Sequence, residues 1–145
     1  MGNGRSVSHA FYNGTGWNTL NSHSYEWGSG GLVSTVEDQN RFLRAWVDGD
    51  LFDNPASKTA MSDWAATGDP GNYYGLDMWH FVADEWGIPN LGQLNGHSGL
   101  FNSLAFYWPE QNVTLVGTIN ANEPPAGFVY LMIDVMFALQ EFGAD

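Results

Sequence analysis

Alternation of apolar and polar positions is strongest in the last third of the chain, where it predicts β-strands. Residues 104–108 and 113–119 are rich in β-branched and aromatic side chains, which favour strands. The Pro-Glu-Gln-Asn link between them has the length and turn chemistry of a hairpin. A further strand, ending in the sequence HSG at residues 97–99, is expected to pair beside them. We therefore predict an antiparallel sheet of about three strands over residues 94–119.

Between residues 34 and 49, apolar residues recur with a period near that of an α-helix. Ser34 followed by Glu37 matches a capping box, which satisfies free amides at a helix start. Gly49 is the residue type that commonly ends a helix. The apolar residues on one face of this predicted helix are Val36, Phe42, Leu43, Trp46 and Val47. We predict a helix that ends near Asp48 and packs this face on the sheet.

The middle of the chain predicts a second short helix and then extended structure. Asn54-Pro55 is a typical helix start, with Met61 and Trp64 on the inner side. Gly, Asp and Pro dominate residues 67–72, which we interpret as a loop. Residues 73–82 mix aromatic and β-forming side chains and predict one extended segment.

The last predicted element is an apolar helix over residues 126–142, which follows a pair of prolines. It is apolar almost all round, so we expect neighbours on more than one side. The segment is too short to span a bilayer and carries Asp134. Its expected position is across one face of the sheet.

The predicted sheet is apolar on both faces, because Val113, Leu115 and Ile119 alternate with Val116 and two threonines. Helices must then cover both sides, which gives an α+β sandwich. We treat residues 1–145 as a single domain. Residues 1–31 are glycine-rich and are interpreted as loop with a short strand near residues 7–11. The start of this segment lacks the apolar core of a secretory signal.

Composition narrows the possible partners. The chain is 43% hydrophobic and 15% aromatic, which is typical of a folded domain and not of a disordered one. It has no cysteine, which excludes disulfides and thiol catalysis. Only four residues are basic, and the formal net charge is −12. This charge argues against nucleic acid and anionic membrane surfaces as partners.

Several segments together resemble one enzyme family. They are GHSG, then NSLAFYWPEQNVTLVGTIN and an apolar helix, with GSGGLVSTVEDQNRFLRAW and Tyr74-Gly75-Leu76 upstream. This order and spacing resembles the C-terminal end of the serine β-lactamase and penicillin-binding-protein superfamily, including its esterases and D-peptidases. The resemblance begins at about Gly28, so residues 32–145 are expected to match the family and residues 1–31 to lie outside the match.

The resemblance implies a role for four consecutive residues. In that family, a Lys-Thr-Gly or His-Thr/Ser-Gly triplet lies on the strand that walls one side of the active site, and His97, Ser98 and Gly99 match it. His97 is then a hydrogen-bond donor or proton relay, and Gly99 lets substrate approach the backbone. The amide of Leu100 corresponds to one oxyanion donor. The alternative is a solvent-facing strand histidine beside a glycine bulge.

Two other family motifs are absent from the sequence. The family's nucleophile lies in Ser-x-x-Lys, but the only lysine is Lys58 and the residue three before it is Pro55. No tyrosine has asparagine two positions on, so the Tyr-x-Asn motif is missing as well. By resemblance, the chain corresponds to the part of a hydrolase that follows these motifs. We expect it to be inactive without an N-terminal complement.

Other candidate sites are weaker. Ser98 and His97 are adjacent on a strand and point to opposite faces, so they are not expected to form a nucleophile and base. Ser34 and Ser103 are better explained as a helix cap and a strand hydroxyl. The acidic turn that contains Asp48, Asp50 and Asp53 lacks the ligand pattern of a calcium loop. The remaining histidines (His9, His23 and His80) have no metal-ligand spacing, and we interpret them as loop or surface residues.

Two classes of function remain open. In the first, the chain is part of a serine hydrolase that acts on small-molecule esters, amides or β-lactams. In the second, it is a non-catalytic binding or scaffold domain with the same fold. We expect no cofactor and no metal. We expect either a homo-oligomer or a complementing N-terminal chain, because the strand over residues 113–119 is a flat apolar edge that proteins rarely leave open.

Overall fold

The computed structural model describes residues 10–13, 15–17, 32–99, 102–121 and 125–143. In chain order, the elements are β1 (Ala10–Tyr12), β2 (Thr15–Trp17), α1 (Val36–Asp48), α2 (Pro55–Met61), β3 (Ala65–Ala66), β4 (Asn72–Tyr74), β5 (Trp79–Val82), β6 (Gln93–Gly99), β7 (Ser103–Trp108), β8 (Val113–Gly117) and α3 (Pro125–Phe142). β1 and β2 form a hairpin, and the other strands form one sheet with α1 on one face and α3 on the other. The predicted α+β class is confirmed.

The main sheet has six strands, so the prediction of about three strands was wrong. β3 to β8 lie in sequence order, and each pairs antiparallel with the next. The predicted strands correspond to β6, β7 and β8. β4 and β5 arise because the segment expected to be extended turns back on itself. The Gly75 amide donates to the Met78 carbonyl at 2.9 Å, and Asp77 adopts a left-handed φ of 59°, which short polar side chains tolerate.

The hairpin link between β7 and β8 has the predicted position. Pro109–Gln111 forms a single 3₁₀ turn, and Asn112 closes it with a left-handed φ of 52°. β8 ends at Gly117, earlier than predicted. Ile119 consequently lies outside the strand and is 38% exposed.

α1 begins one residue later than the capping box predicted. The hydroxyl of Thr35 accepts a hydrogen bond from the Asp38 amide at 3.1 Å, whereas the Ser34 hydroxyl donates to the Thr35 carbonyl. Thr35 is therefore the cap. The predicted end at Asp48 is confirmed, with Gly49 left-handed at φ 89°.

The predicted inner face of α1 is correct for Leu43 and Trp46, which are buried, but wrong for Val36 and Phe42, which are 40% and 59% exposed. Leu43, Trp46 and Met78 form a core on the α1 face of the sheet. This cluster is the α1-side core.

α2 and its surroundings match the prediction. Asn54 caps the helix, because its side-chain oxygen accepts from the Ala56 amide at 3.0 Å. Met61 and Trp64 pack against the α1-side core. α2 therefore extends the apolar layer on that face.

The opposite face of the sheet packs against α3. Trp108 is completely buried there, and its indole Nε1 donates to the Leu91 carbonyl at 2.7 Å. Leu91, Leu115 and Met136 complete this cluster together with Ala83. It is the α3-side core, and it confirms the predicted place of the last helix across one face of the sheet.

The described part of the chain covers only one side of α3. The prediction was neighbours on more than one side, because the helix is apolar almost all round. Tyr130 is 65% exposed, Leu131 54% and Phe142 77%. Among the described residues, no helix has the length and apolar character needed to cross a membrane.

The N-terminal segment contains more structure than predicted. The expected strand near residues 7–11 overlaps β1, and its first residues lie outside the described ranges. β2 was not predicted. The Phe11 amide donates to the Asn120 carbonyl at 2.8 Å, so β1 approaches the chain just after β8.

Candidate active site

The HSG triplet occupies the end of β6 in the middle of the sheet. His97, Ser98 and Gly99 pair with Ala105, Leu104 and Ser103 of β7. A Cβ on the preceding residue, Gly96, would overlap the Ala105 carbonyl oxygen. Glycine at that position therefore lets β6 and β7 approach closely next to His97.

His97 is exposed, yet both nitrogens of its ring have partners. Nδ1 faces the carbonyl oxygen of Ser98. Nε2 lies 2.9 Å from the phenol oxygen of Tyr74. The imidazole also stacks on Trp79, with 4.8 Å between ring centroids and 19° between ring planes. The ring is thus held by two hydrogen bonds and one aromatic face, unlike a freely rotating surface histidine.

The Tyr74 phenol is suited to act as the donor in this pair. Its pKa is raised above the ordinary tyrosine value, first by burial and then by the charge of Asp77 and a hydrogen bond to it. All three causes disfavour the phenolate. Tyr74 therefore keeps its proton at neutral pH and can donate one hydrogen bond, either to Nε2 of His97 or to Asp77.

Ser98 lies on the other side of the strand. It is half-buried and lines a cavity of about 260 Å³ between the sheet and α3, whose walls are almost entirely apolar. His97 is exposed and pairs with Ala105, which packs against the α1-side core. Ser98 lines this cavity and His97 does not, which is the arrangement expected for adjacent residues on a strand.

Gly99 and Leu100 complete the predicted set. Gly99 is exposed, and a Cβ there would come within 2.5 Å of the Ser103 hydroxyl oxygen. Ser103 itself lies on β7, in agreement with its interpretation as a strand residue. Leu100 lies outside the described residues, so the oxyanion amide stays a prediction.

Sequence reasoning misplaced His80, which was expected in a loop or at the surface. It lies on β5, is only 9% exposed and faces Asn95 across the β5–β6 pair, with Nδ1 2.7 Å from the Asn95 Oδ1. Its ring also stacks on Trp64 at 5.0 Å. The alternation of residues 79–82 was a signal for a strand, but nothing in it showed that a polar partner would stand opposite the histidine. His9 and His23 lie outside the described residues.

Lys58 has a structural role. It donates a hydrogen bond to the Val47 carbonyl and so ties α2 to the end of α1. In the described ranges, no three His, Cys, Asp or Glu side chains come together as a metal site, and this includes Asp48, Asp50 and Asp53.

Tyr74 and Trp79 are the site residues that the sequence did not reveal. Tyr74 belongs to the Tyr-Gly-Leu segment that contributed to the family resemblance, but its contact with His97 depends on the strand order. No spacing rule joins two residues that are 23 positions apart in the chain.

Comparison with known proteins matches the chain to a family model. No curated protein and no solved structure matches the chain. The model of the Beta-lactamase family matches residues 3–135, which includes most of the N-terminal segment expected to lie outside the resemblance. With the match covering most of its length and the HSG strand in place, the chain belongs to the Beta-lactamase family.

Proposed function

We propose that this chain forms one wall of the active site of a serine hydrolase and needs a complement that carries Ser-x-x-Lys. The observation that carries the proposal is His97, held at the end of β6 by Tyr74 and Trp79 within a Beta-lactamase family chain. An exposed imidazole with a fixed Nε2 suits a proton carrier beside a nucleophile. The substrates are small-molecule esters, amides or β-lactams.

In the complete site, each group has a distinct role. His97 accepts or donates a proton near the reacting carbonyl. Gly99 leaves the backbone open to substrate, and the Leu100 amide donates to the developing oxyanion. Ser98 packs on the far side of the strand and lines the apolar cavity. The serine nucleophile and its lysine come from the complement.

The experiment that tests this proposal combines the chain with a segment that supplies Ser-x-x-Lys from the coding region upstream of Met1. Hydrolysis of nitrocefin and of short-chain nitrophenyl esters is then measured for each part and for the mixture. We expect turnover only in the mixture. Equal hydrolysis by the upstream segment alone would contradict the proposal.

The isolated chain is expected to show no serine acylation, because Ser-x-x-Lys is absent and the only lysine, Lys58, donates a hydrogen bond to a backbone carbonyl. Incubation with a fluorophosphonate or a penicillin probe, followed by mass spectrometry, measures this directly. An adduct in stoichiometric amount on any serine would refute the expectation and reveal a different nucleophile. Heat-unfolded chain is the control for nonspecific labelling.

The second candidate is a non-catalytic binding or scaffold domain. It is favoured by one observation: both ring nitrogens of His97 already have partners within the chain. A histidine in this state can be purely structural. A mixture that forms a stable complex but gives no turnover would support this alternative.

We expect self-association or capture of a complement, because α3 exposes large apolar side chains such as Tyr130 and Leu131. The net charge of −12 opposes self-association at low salt, and salt screens this repulsion. Light scattering at two salt concentrations should therefore give a larger mass at the higher one. Leu131→Asp should reduce the effect, whereas Ser57→Asp adds the same charge at an exposed α2 position and should reduce it less. A monomer at both salt concentrations would contradict self-association and leave only the capture of a complement.

A further inference from the structure

Three aromatic rings from neighbouring strands contact one another at the HSG end of the sheet. Tyr74 pairs with Trp79 across β4 and β5, and Trp79 pairs with Gly96 across β5 and β6. His97 follows directly on β6. The Tyr74 and Trp79 rings meet edge to face at 6.1 Å, and the Tyr74 and His97 rings do so at 5.9 Å. Trp79 thus fixes the plane of the imidazole, while Tyr74 meets it at its edge.

The partners of the two ring nitrogens select one tautomer. The Ser98 carbonyl can only accept, so Nδ1 must carry the hydrogen in that contact. In the neutral ring, Nε2 is then an acceptor, and its partner must donate. The Tyr74 phenol is that donor at 2.9 Å. Burial and the charge of Asp77 keep the phenol protonated, so it has a hydrogen to donate. A hydrogen bond to the Asp77 carboxylate would use that same hydrogen, so Asp77 competes with Nε2 as its acceptor.

We propose that Tyr74 is a positioning residue that holds His97 in the Nδ1–H tautomer with its Nε2 lone pair directed at the phenol. This inference rests on the proposed function for its catalytic meaning, because it fixes which nitrogen of His97 is available to take up a proton. The contact also survives protonation. When Nε2 gains a proton it donates to the phenol oxygen, and the phenol hydrogen turns towards the Asp77 carboxylate.

The test uses the isolated, ¹⁵N-labelled chain and long-range proton–nitrogen correlation spectra of its histidines at a pH well above the ordinary imidazole range. In the wild type, His97 should give the pattern of the Nδ1–H tautomer. In Tyr74→Phe, the ratio of this tautomer to the Nε2–H form should fall about fivefold, which is the change expected from the loss of one neutral hydrogen bond. The Ser98 carbonyl remains, so the preference weakens without reversing completely.

The chain offers a matched control at the neighbouring position. Tyr73 makes its hydroxyl contact with Glu85 at 3.3 Å and not with His97. Tyr73→Phe removes the same atom one residue away and should leave the His97 tautomer ratio unchanged. An unchanged ratio in Tyr74→Phe, or an equal change in Tyr73→Phe, would overturn the inference. His80, which is hydrogen-bonded to Asn95, reports in the same spectra whether each variant is folded.

A second measurement does not need a variant that folds. In the wild-type chain, the Tyr74 hydroxyl proton should exchange slowly with water and correlate with Nε2 of His97. A wild-type spectrum in which His97 is mainly the Nε2–H tautomer would contradict the proposal by itself.

The inference and the proposed function can fail separately. Tautomer spectra of the isolated chain do not depend on turnover, so a mixture without activity would refute the hydrolase proposal and leave the tautomer result standing. If the mixture is active, Tyr74→Phe should lower kcat about fivefold with little effect on KM, because Tyr74 acts through His97 and not through substrate binding. An unchanged kcat would restrict the tautomer effect to the resting chain and overturn its role in positioning.

Discussion

Replacing His97 by alanine should lower the turnover of the completed hydrolase by tens-fold or more, while the isolated chain remains folded. The imidazole is exposed, so its removal leaves no cavity in either core. Under the proposed function the substitution removes a proton carrier, and a positioned acid or base typically contributes about 10²–10⁴-fold to a rate. The measurement is kcat for nitrocefin or nitrophenyl ester hydrolysis by wild-type and variant mixtures.

A matched control lies on the same strand. Gln93 is exposed at the other end of β6, and its backbone amide, not its side chain, makes the contact with Glu110 at 2.9 Å. Gln93→Ala should therefore leave turnover near the wild-type value. If His97→Ala also leaves turnover unchanged, His97 is only a strand residue and the scaffold alternative gains support.

Trp108→Ala should cause the largest loss of stability of any single substitution considered for this chain. Trp108 is completely buried in the α3-side core, and truncation of a buried tryptophan costs about 3–5 kcal/mol. The substitution also leaves the buried Leu91 carbonyl without its indole donor. Domains of this size have a free energy of unfolding of about 5–15 kcal/mol, so the loss is a substantial fraction of the total. Urea unfolding followed by circular dichroism measures the loss.

Trp86 separates the effect of burial from the effect of the indole hydrogen bond. Its Nε1 also donates to a backbone carbonyl, that of Pro70 at 2.9 Å, but the side chain is 46% exposed. Trp86→Ala removes a similar hydrogen bond with less buried area, so it should cost clearly less than Trp108→Ala. Equal losses would show that the bond, and not the packing, dominates at both positions.

Local patterns predicted the elements that local chemistry controls. β6, β7 and β8 follow the alternation of apolar residues, and the turn between β7 and β8 follows its Pro and Asn residues. α1 ends where Gly49 allows a left-handed backbone. The one error at its start has a local cause as well. Ser34 and Thr35 are adjacent hydroxyl residues that both suit a cap, and only the path of the chain selects Thr35.

Errors concentrate where distant segments meet. The segment that contains Tyr74 and Trp79 has the composition of one long strand, but its turn at Gly75 is set by a close approach to α2, since a Cβ there would overlap the Met61 carbonyl oxygen. His80 is polar, and its burial depends on Asn95 of the neighbouring strand. Neither partner is visible in the local sequence.

The sequence by itself determined that the chain is an α+β domain, that it carries the HSG triplet and that it lacks Ser-x-x-Lys, because each of these depends on residues close together in the chain. Only the tertiary structure decided what surrounds His97. Alternation along β6 fixes which face each residue takes, but the order β4-β5-β6 decides whose side chains lie next to it. That order brings Tyr74 to Nε2 and Trp79 to the ring face. These two contacts set the orientation of the His97 ring.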